Sequence, residues 1–458
     1  MKSINAETLP AAYQRPHSRV YYPVRLKFVL AFMFGLAWMM LSIVVSTPWM
    51  HELSKVTHPI FALFAISFIA YIPGFMNAFL VASLILDRRP PRRALAQYPA
   101  VTVLIAAYQE EQAIDETLEA VANEDYPGPL EVLVLNDGST DRTSAVAAAA
   151  IQRLSFPTHV DVQLINFKHN RGKAAALNDG LKMSQHDLIV TIDGDSILHP
   201  DALTGIVERL YADPPTTVAA AGAVLVRNSR ENLMTGAQEW DYFHGIAAVK
   251  RMQSLYQGTL VAQGAFSIYR KSALLEVGGW PECVGEDIVL TWALLGKDHR
   301  VGYAEDAIVW TNAPTTFRQF ALQRQRWSRG LIEAFDHHQK LLFKPRLTTM
   351  FIWWNLLFLP LDLAYTLIFI PGILAAIFFQ IYWIAGLMTL AVLPFAALWN
   401  ILIYRTQSKM FERQGLAVRH NVGGLAFYLL VYTILMQPVC VWGYLAEIAG
   451  LRKKWGTK

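Results

Sequence analysis

The chain is 458 residues long, 54% hydrophobic and only 17% charged; an average globular protein is roughly 45–50% apolar and about 25% charged. That composition excludes a disordered, collagen-like or disulfide-scaffold protein. Forty Lys and Arg against 36 Asp and Glu leave +4, too slight to indicate nucleic acid as a partner, and the two distant cysteines, Cys283 and Cys440, define neither a disulfide framework nor a zinc site.

Two uncharged stretches open the chain, residues 28–46 and 59–86. Each exceeds the 18 or so apolar residues that read as a transmembrane helix. A cleaved signal peptide is not expected, since the first stretch starts late and no small-x-small site follows it. Arg15, Arg19, Arg25 and Lys27 precede the first stretch, and Arg88, Arg89, Arg92 and Arg93 follow the second. The positive-inside rule therefore puts the tail 1–27 and the segment after residue 87 in the cytoplasm. Residues 87–316 form a cytosolic domain there. Its short apolar runs at 101–106, 131–136, 160–167 and 188–192 alternate with Ala- and Leu-rich segments, which predicts an α/β domain with a mostly parallel sheet.

In such sheets ligands bind off the carboxyl ends of the strands, so the loops after the apolar runs carry the chemistry. They are Tyr108-Gln109-Glu110-Glu111, Asp137-Gly138-Ser139-Thr140-Asp141 and Asp193-Gly194-Asp195. Alone, each is equally a turn or a helix cap; together they line one rim with carboxylates. A hard divalent cation bound to a diphosphate takes one or two carboxylate oxygens and keeps its other positions for phosphate and water. Asp193 and Asp195 are two residues apart, so one can face that metal and the other the nucleotide. Asp137, Tyr108 and Glu110 are placed to accept hydrogen bonds from a base or ribose. Arg171-Gly172-Lys173 opens a helix, and a helix N-terminus with a lysine is a phosphate site.

Further along, Gly285-Glu286-Asp287 lies in a polar turn before a helix-like run. Residues 317–345 read as an amphipathic interfacial helix, with Phe320, Trp327, Leu331 and Phe335 on one face and Arg318, Arg324, Arg326 and Arg329 elsewhere. Residues 346–450 form the C-terminal membrane region. The stretch 350–404, with Asp362 as its one charged residue, is long enough for two spans, broken at Pro371-Gly372 or at Gln380. Residues 421–450 are too short to cross twice and carry Pro438 near the middle. A segment broken there that enters and leaves on the cytoplasmic side keeps the basic tail 451–458 inside; the alternative is a fifth full span.

Together these residues resemble the processive family 2 glycosyltransferases, which include hyaluronan, chitin and cellulose synthases. The family pattern is an acidic turn (Asp137), D-x-D (Asp193, Asp195), [TG]-E-D (Glu286, Asp287) and Q-x-x-R-W (Gln323, Arg326, Trp327), in that order. Through VLNDGSTD, N-R-G-K-A-A-A-L and two N-terminal spans the chain looks most like the bacterial poly-β-1,6-N-acetylglucosamine synthases. Gly285 stands where Thr is commoner. The final Trp455-Gly456-Thr457-Lys458 looks like the gating motif of hyaluronan and chitin synthases.

The resemblance implies a glycosyltransferase A-type, Rossmann-like α/β domain set between transmembrane helices of a bacterial inner-membrane protein. It implies inverting transfer from a UDP-sugar to a growing β-linked polysaccharide, with UDP-N-acetylglucosamine preferred to UDP-glucose as donor, and with export of the product. Asp287 would be the general base and Glu286 its neighbour. Lys173, Arg326, Gln323 and Arg324 would serve the nucleotide-sugar, aided by Mg²⁺ or Mn²⁺ on Asp195. Trp327, with Gln263 and Gly264, would hold the acceptor. The expected partners are donor, acceptor glycan, the lipid bilayer and a small membrane subunit that exerts any control. Two other readings stand beside this one: a lipid-directed enzyme of the ceramide glucosyltransferase kind, separated by product size, and a transporter or receptor with a nucleotide-binding domain, which leaves Glu286-Asp287 without a purpose.

Overall fold

The computed structural model describes residues 22–88, 94–413, 415–416 and 420–452; the segment Trp455–Lys458 lies outside them. Eight strands form one sheet: β1 (Val101–Ala107), β2 (Leu130–Asn136), β3 (Val160–Asn166), β4 (Leu188–Asp193), β5 (Ile197–Leu198), β6 (Thr217–Val226), β7 (Phe266–Arg270) and β8 (Arg300–Thr311), in the order β3-β2-β1-β4-β7-β6-β8-β5. β1, β2 and β4 are buried almost throughout, as β-branched strands covered on both faces must be. Their side chains alternate between two cores. Val101, Val103 and Ile105 pack with Ile114 and Leu118, whereas Leu104 and Leu135 meet Ala174 and Leu177 from the other side.

The sheet is mostly parallel, as expected: parallel from β3 to β4 and mixed beyond. β7 runs antiparallel to both β4 and β6, β6 and β8 pair in parallel, and β5 is antiparallel to β8. The reversal has a consequence for the rim. Because β7 starts where β4 ends, with Phe266 opposite Ile192, the Gln263-Gly264-Ala265 segment arrives beside Asp193, whose backbone N–H donates to the Ala265 carbonyl at 3.4 Å.

Among the described residues five helices are long and apolar enough to cross a membrane: Val24–Val45, Pro59–Leu86, Thr349–Phe379, Leu387–Lys409 and Val422–Ile448. The third and fourth are separated at Gln380, which takes the left-handed conformation. The last differs from expectation. It is one helix that runs through Pro438, not a segment broken there. Proline removes the bond to the Ile434 carbonyl, but the bonds on either side persist and the Phe317–His338 helix backs this stretch, with Gly443 against Gln325 and Ser328. Both ends meet the α/β domain. Asn421 Nδ2 donates to the Gly236 carbonyl at 2.9 Å and to Glu239 at 2.7 Å, and Arg329 Nε donates to Glu447 at 2.8 Å.

The Phe317–His338 helix is likewise more enclosed than an interfacial helix. Thr316 caps it reciprocally with Gln319. Arg324 and Arg329 are buried and paired with Asp241 and Glu447 instead of facing lipid headgroups. A charge that loses water needs a partner, and the C-terminal helix and the Asp241–Ala248 turn supply it.

Trp49, after the first apolar helix, donates its indole N–H to the Trp383 carbonyl at 2.8 Å. The segment 47–58, most of it the short helix Thr47–Val56, and the segment 380–386 therefore share one end of the helical bundle, away from the sheet. In a background lacking Cys283 and Cys440, Lys55→Cys and Tyr382→Cys are expected to react with an impermeant thiol reagent from the same side of the membrane, and Asp161→Cys, exposed on β3, from the opposite side.

Candidate active site

The carboxyl rim is built from loops that hold one another. Gln109, at φ +58° in the left-handed region, accepts from the Thr140 and Asp141 amides at 3.2 and 3.1 Å. The Glu110 amide donates to Thr143 Oγ1 at 2.8 Å. A non-glycine residue at positive φ persists only where its surroundings over-determine it, and these bonds do so. Tyr108 is left exposed at the mouth. Gly194 passes so close to the first loop that an added Cβ would lie 3.1 Å from Glu110 Cγ.

Asp137, expected at a base or ribose, is buried with its carboxylate spent on backbone. It accepts from the amides of Arg171 (3.1 Å) and Gly172 (2.8 Å). Its service here is to the turn that presents Lys173. Gly172 supplies the φ of +91° this turn requires, and Lys173 begins the Lys173–Met183 helix.

The Lys173 ammonium donates to Asp193 Oδ1 and lies 3.9 Å from Glu286 Oε1. Burial alone would lower its pKa, but Asp193, Glu286 and Asp287 raise it, so it stays charged. Gly264 roofs this cluster: a Cβ there would sit 2.5 Å from Lys173 Nζ and 3.7 Å from Glu286 Oε1. Lys173, Asp193, Gly264 and Glu286 thus lie together in one cluster. Gln263 does not join them, because its side-chain amide donates to the Gly222 carbonyl in β6 at 2.7 Å.

Glu286 and Asp287 open the Glu286–Gly296 helix, where a helix N-terminus favours negative charge. Burial, then the Asp287 charge, pushes the Glu286 pKa well above the carboxylate range, against Lys173 and Arg326. Gly285 explains its own presence. Its Cβ would fall 2.5 Å from Gly330 Cα on the Phe317–His338 helix, so the two backbones touch.

Three residues went unnoticed in the sequence. Glu333 accepts from the Val284 and Gly285 amides at 3.2 and 2.7 Å and ties the turn before Glu286 to the Phe317–His338 helix. Lys250 donates to the Val261 carbonyl; burial lowers its pKa to about 7, and the Asp287 charge opposes that. Tyr242 is buried under the influence of Asp195 and Arg326. Only Glu333 left a trace, an acid about two turns beyond Arg326 on one helix.

In the Q-R-Q-R-W segment, Arg326 acts on Glu286 by its charge. Trp327 is 40% exposed, and Gln323 Oε1 is buried without a hydrogen-bond partner. Arg324, grouped with the nucleotide-binding residues, points elsewhere: its guanidinium bonds Asp241 and Tyr432. Among the described residues no three His, Cys, Asp or Glu gather into a metal cage. Asp193 and Asp195, with an ammonium on the first, fit instead a divalent ion completed by diphosphate and water.

A buried acid with a raised pKa keeps its proton where the unfolded chain releases it. Stability is then lost as pH rises from the ordinary glutamate range through the folded pKa. Glu286→Gln removes this dependence. Its melting temperature is expected to match wild type near pH 5 and to exceed it at pH 8, as thermal unfolding across that range will show.

Residues 99–330 match the family described as "Glycosyltransferase like family 2". The chain is 29% identical over 275 residues to the poly-β-1,6-N-acetyl-D-glucosamine synthase of Staphylococcus epidermidis, and 29% over 276 residues to that of Staphylococcus aureus strain COL. Each alignment covers 58% of this chain and 65% of the relative. The fold resembles that of a mannosyltransferase from Pyrobaculum calidifontis in complex with GDP-Man and Mn²⁺, with a TM-score of 0.57 at 18% identity, covering 84% of this chain and 98% of the other. The matched segment spans the sheet from before β1 to the Gly330 that meets Gly285, so it contains every loop of the rim, and on that match the chain belongs to glycosyltransferase family 2.

Proposed function

We propose that this protein is a membrane-embedded, inverting, processive glycosyltransferase. In this reading it extends a β-linked polysaccharide from a UDP-sugar, with UDP-N-acetylglucosamine as the preferred donor, and passes the product across the bacterial inner membrane. The observation that carries the reading is the Lys173 ammonium held between Asp193 of the D-x-D loop and Glu286 beside Asp287. One cation links the nucleotide side of the rim to the acceptor side. The names of the staphylococcal relatives support an N-acetylglucosamine polymer.

Asp287 takes the proton from the acceptor hydroxyl as that oxygen attacks the anomeric carbon from the face opposite the leaving group. The bond to the diphosphate oxygen breaks and its electron pair leaves with UDP. Lys173 and Arg326 offset the charge that develops on the leaving group. Glu286, its pKa raised by burial, keeps its own proton and leaves the role of base to Asp287. Tyr108, Glu110 and Asp193 line the nucleotide, while Trp327 and the Gly264 backbone shape the acceptor side. A Mg²⁺ or Mn²⁺ on Asp195 would supply further neutralisation of the diphosphate. The catalytic domain faces the cytoplasm in this reading, and a small membrane subunit is a proposed partner.

A positioned base contributes roughly 10²–10⁴ in rate. Asp287→Asn is therefore expected to lose at least a hundredfold of polymer synthesis while UDP still binds; retention of a tenth of wild-type turnover would remove Asp287 from the role. Asp195→Ala is expected to lose activity together with metal-dependent UDP affinity, and full activity in excess chelator would contradict the metal. Release of UDP from a panel of UDP-sugars, read beside the product's size, tests the donor and the polymer at once.

A further inference from the structure

We propose that Arg324 is a positioning residue for Trp327, and that Tyr432 on the Val422–Ile448 helix sets Arg324, so that this helix governs the aromatic platform on which the acceptor rests. The inference rests on the reading of Trp327 as that platform. The Arg324 Cζ lies 4.0 Å from the Trp327 ring centroid, directly over its face, and a cation is held most strongly by the face of an indole. The guanidinium is 3% exposed, so it cannot swing to solvent. Its Nη2 donates to Asp241 Oδ2 at 2.8 Å and to the Tyr432 hydroxyl at 2.7 Å. The same hydroxyl donates to Asp241 Oδ2 at 2.9 Å, which closes a triangle.

The three corners come from three elements. Asp241 is the first residue of a π-helical turn, Asp241–Ala248, and Tyr432 the last of another, Tyr428–Tyr432. Such turns are rare and gather at functional sites. Arg324 Nε has no hydrogen-bond partner, so the guanidinium is held by the bonds of one nitrogen and by the rings around it, the indole at 4.0 Å nearest and Phe320 next at 5.3 Å. A shift of the C-terminal helix therefore tilts the cation, and with it the indole, relative to the acceptor. Arg326, two residues on, is the arginine whose charge reaches Glu286. The motif thus divides its two arginines between chemistry and support.

The test is a mutant cycle on the full-length protein in lipid nanodiscs, with the UDP-sugar that supports turnover and a short oligomer of the same sugar as added acceptor. Tyr432→Phe removes one hydroxyl from a charge-assisted bond. It is expected to raise the acceptor KM about tenfold and leave the donor KM within twofold. Arg324→Lys, which keeps the charge but loses the planar fork, is expected to behave likewise and serves if the first variant does not fold. In a Trp327→Ala background, Tyr432→Phe is expected to add less than twofold. Independent, multiplying effects in that background, a shifted donor KM, or a wild-type acceptor KM in both single variants would overturn the proposal. If Trp327→Ala itself leaves the acceptor KM unchanged, or no UDP-sugar supports turnover, the reading beneath it fails, and that outcome is distinct from failure of the triangle.

Discussion

Asp193 and the Glu286-Asp287 pair belong to loops that are distant in sequence, and any two of these acids ionised in a partly dry cleft would repel. The Lys173 ammonium converts that repulsion into a contact: it donates to Asp193 and sits 3.9 Å from Glu286. Removing the Lys173 ammonium leaves the Asp193 carboxylate without its counter-charge, which costs far more than the pair contributes. Much of the surrounding structure serves to put that ammonium there. Asp137 ties down the turn before it, Gly172 gives the turn its left-handed conformation, and Gly264 leaves the space the side chain fills.

The other side of the cleft is held by contact between backbones. Gly285 and Gly330 touch, and Glu333 bonds the amides on the Gly285 side. The segment with the acceptor-side acids is thereby fastened to the helix with the arginines and Trp327. The two halves of the site keep their distance through this joint and through Lys173, not through the sheet alone.

The parts of the fold legible in the sequence were those with a period. β1, β2 and β4 are β-branched runs bounded by turn residues, and the acidic loops stand directly after them. β6 was not seen, because TVAAAGAVLV is mostly small residues without alternation; it forms a buried strand because Phe266 of β7 fills the space over Gly222. The direction of β7, which brings Gly264 to the rim, is a property of pairing and leaves no mark on five residues. Within the site, the D-x-D, E-D and Q-x-x-R-W elements were legible as spacings. Lys250, Tyr242 and Glu333 were not, since a single polar residue in an apolar context has no pattern. Nor can a helical wheel say which two of the four arginines are buried. Arg324 acquires its partners from elements more than 80 residues away on either side.

One face of the sheet shares its core with the membrane helices: Leu104 and Leu135 belong to the same apolar cluster as Phe79 and Leu84 from the N-terminal side and Phe351 and Trp399 from the C-terminal side. The sheet face itself is covered by the Lys173–Met183 helix; what the apolar helices complete is the outer side of that layer, where Tyr256 packs on Phe79 and Phe351. Left exposed, apolar surface of that kind is where incomplete chains associate wrongly. The helices that carry Phe351 and Trp399 are therefore part of the α/β domain's folding, and a chain that ends before them leaves that apolar cluster incomplete.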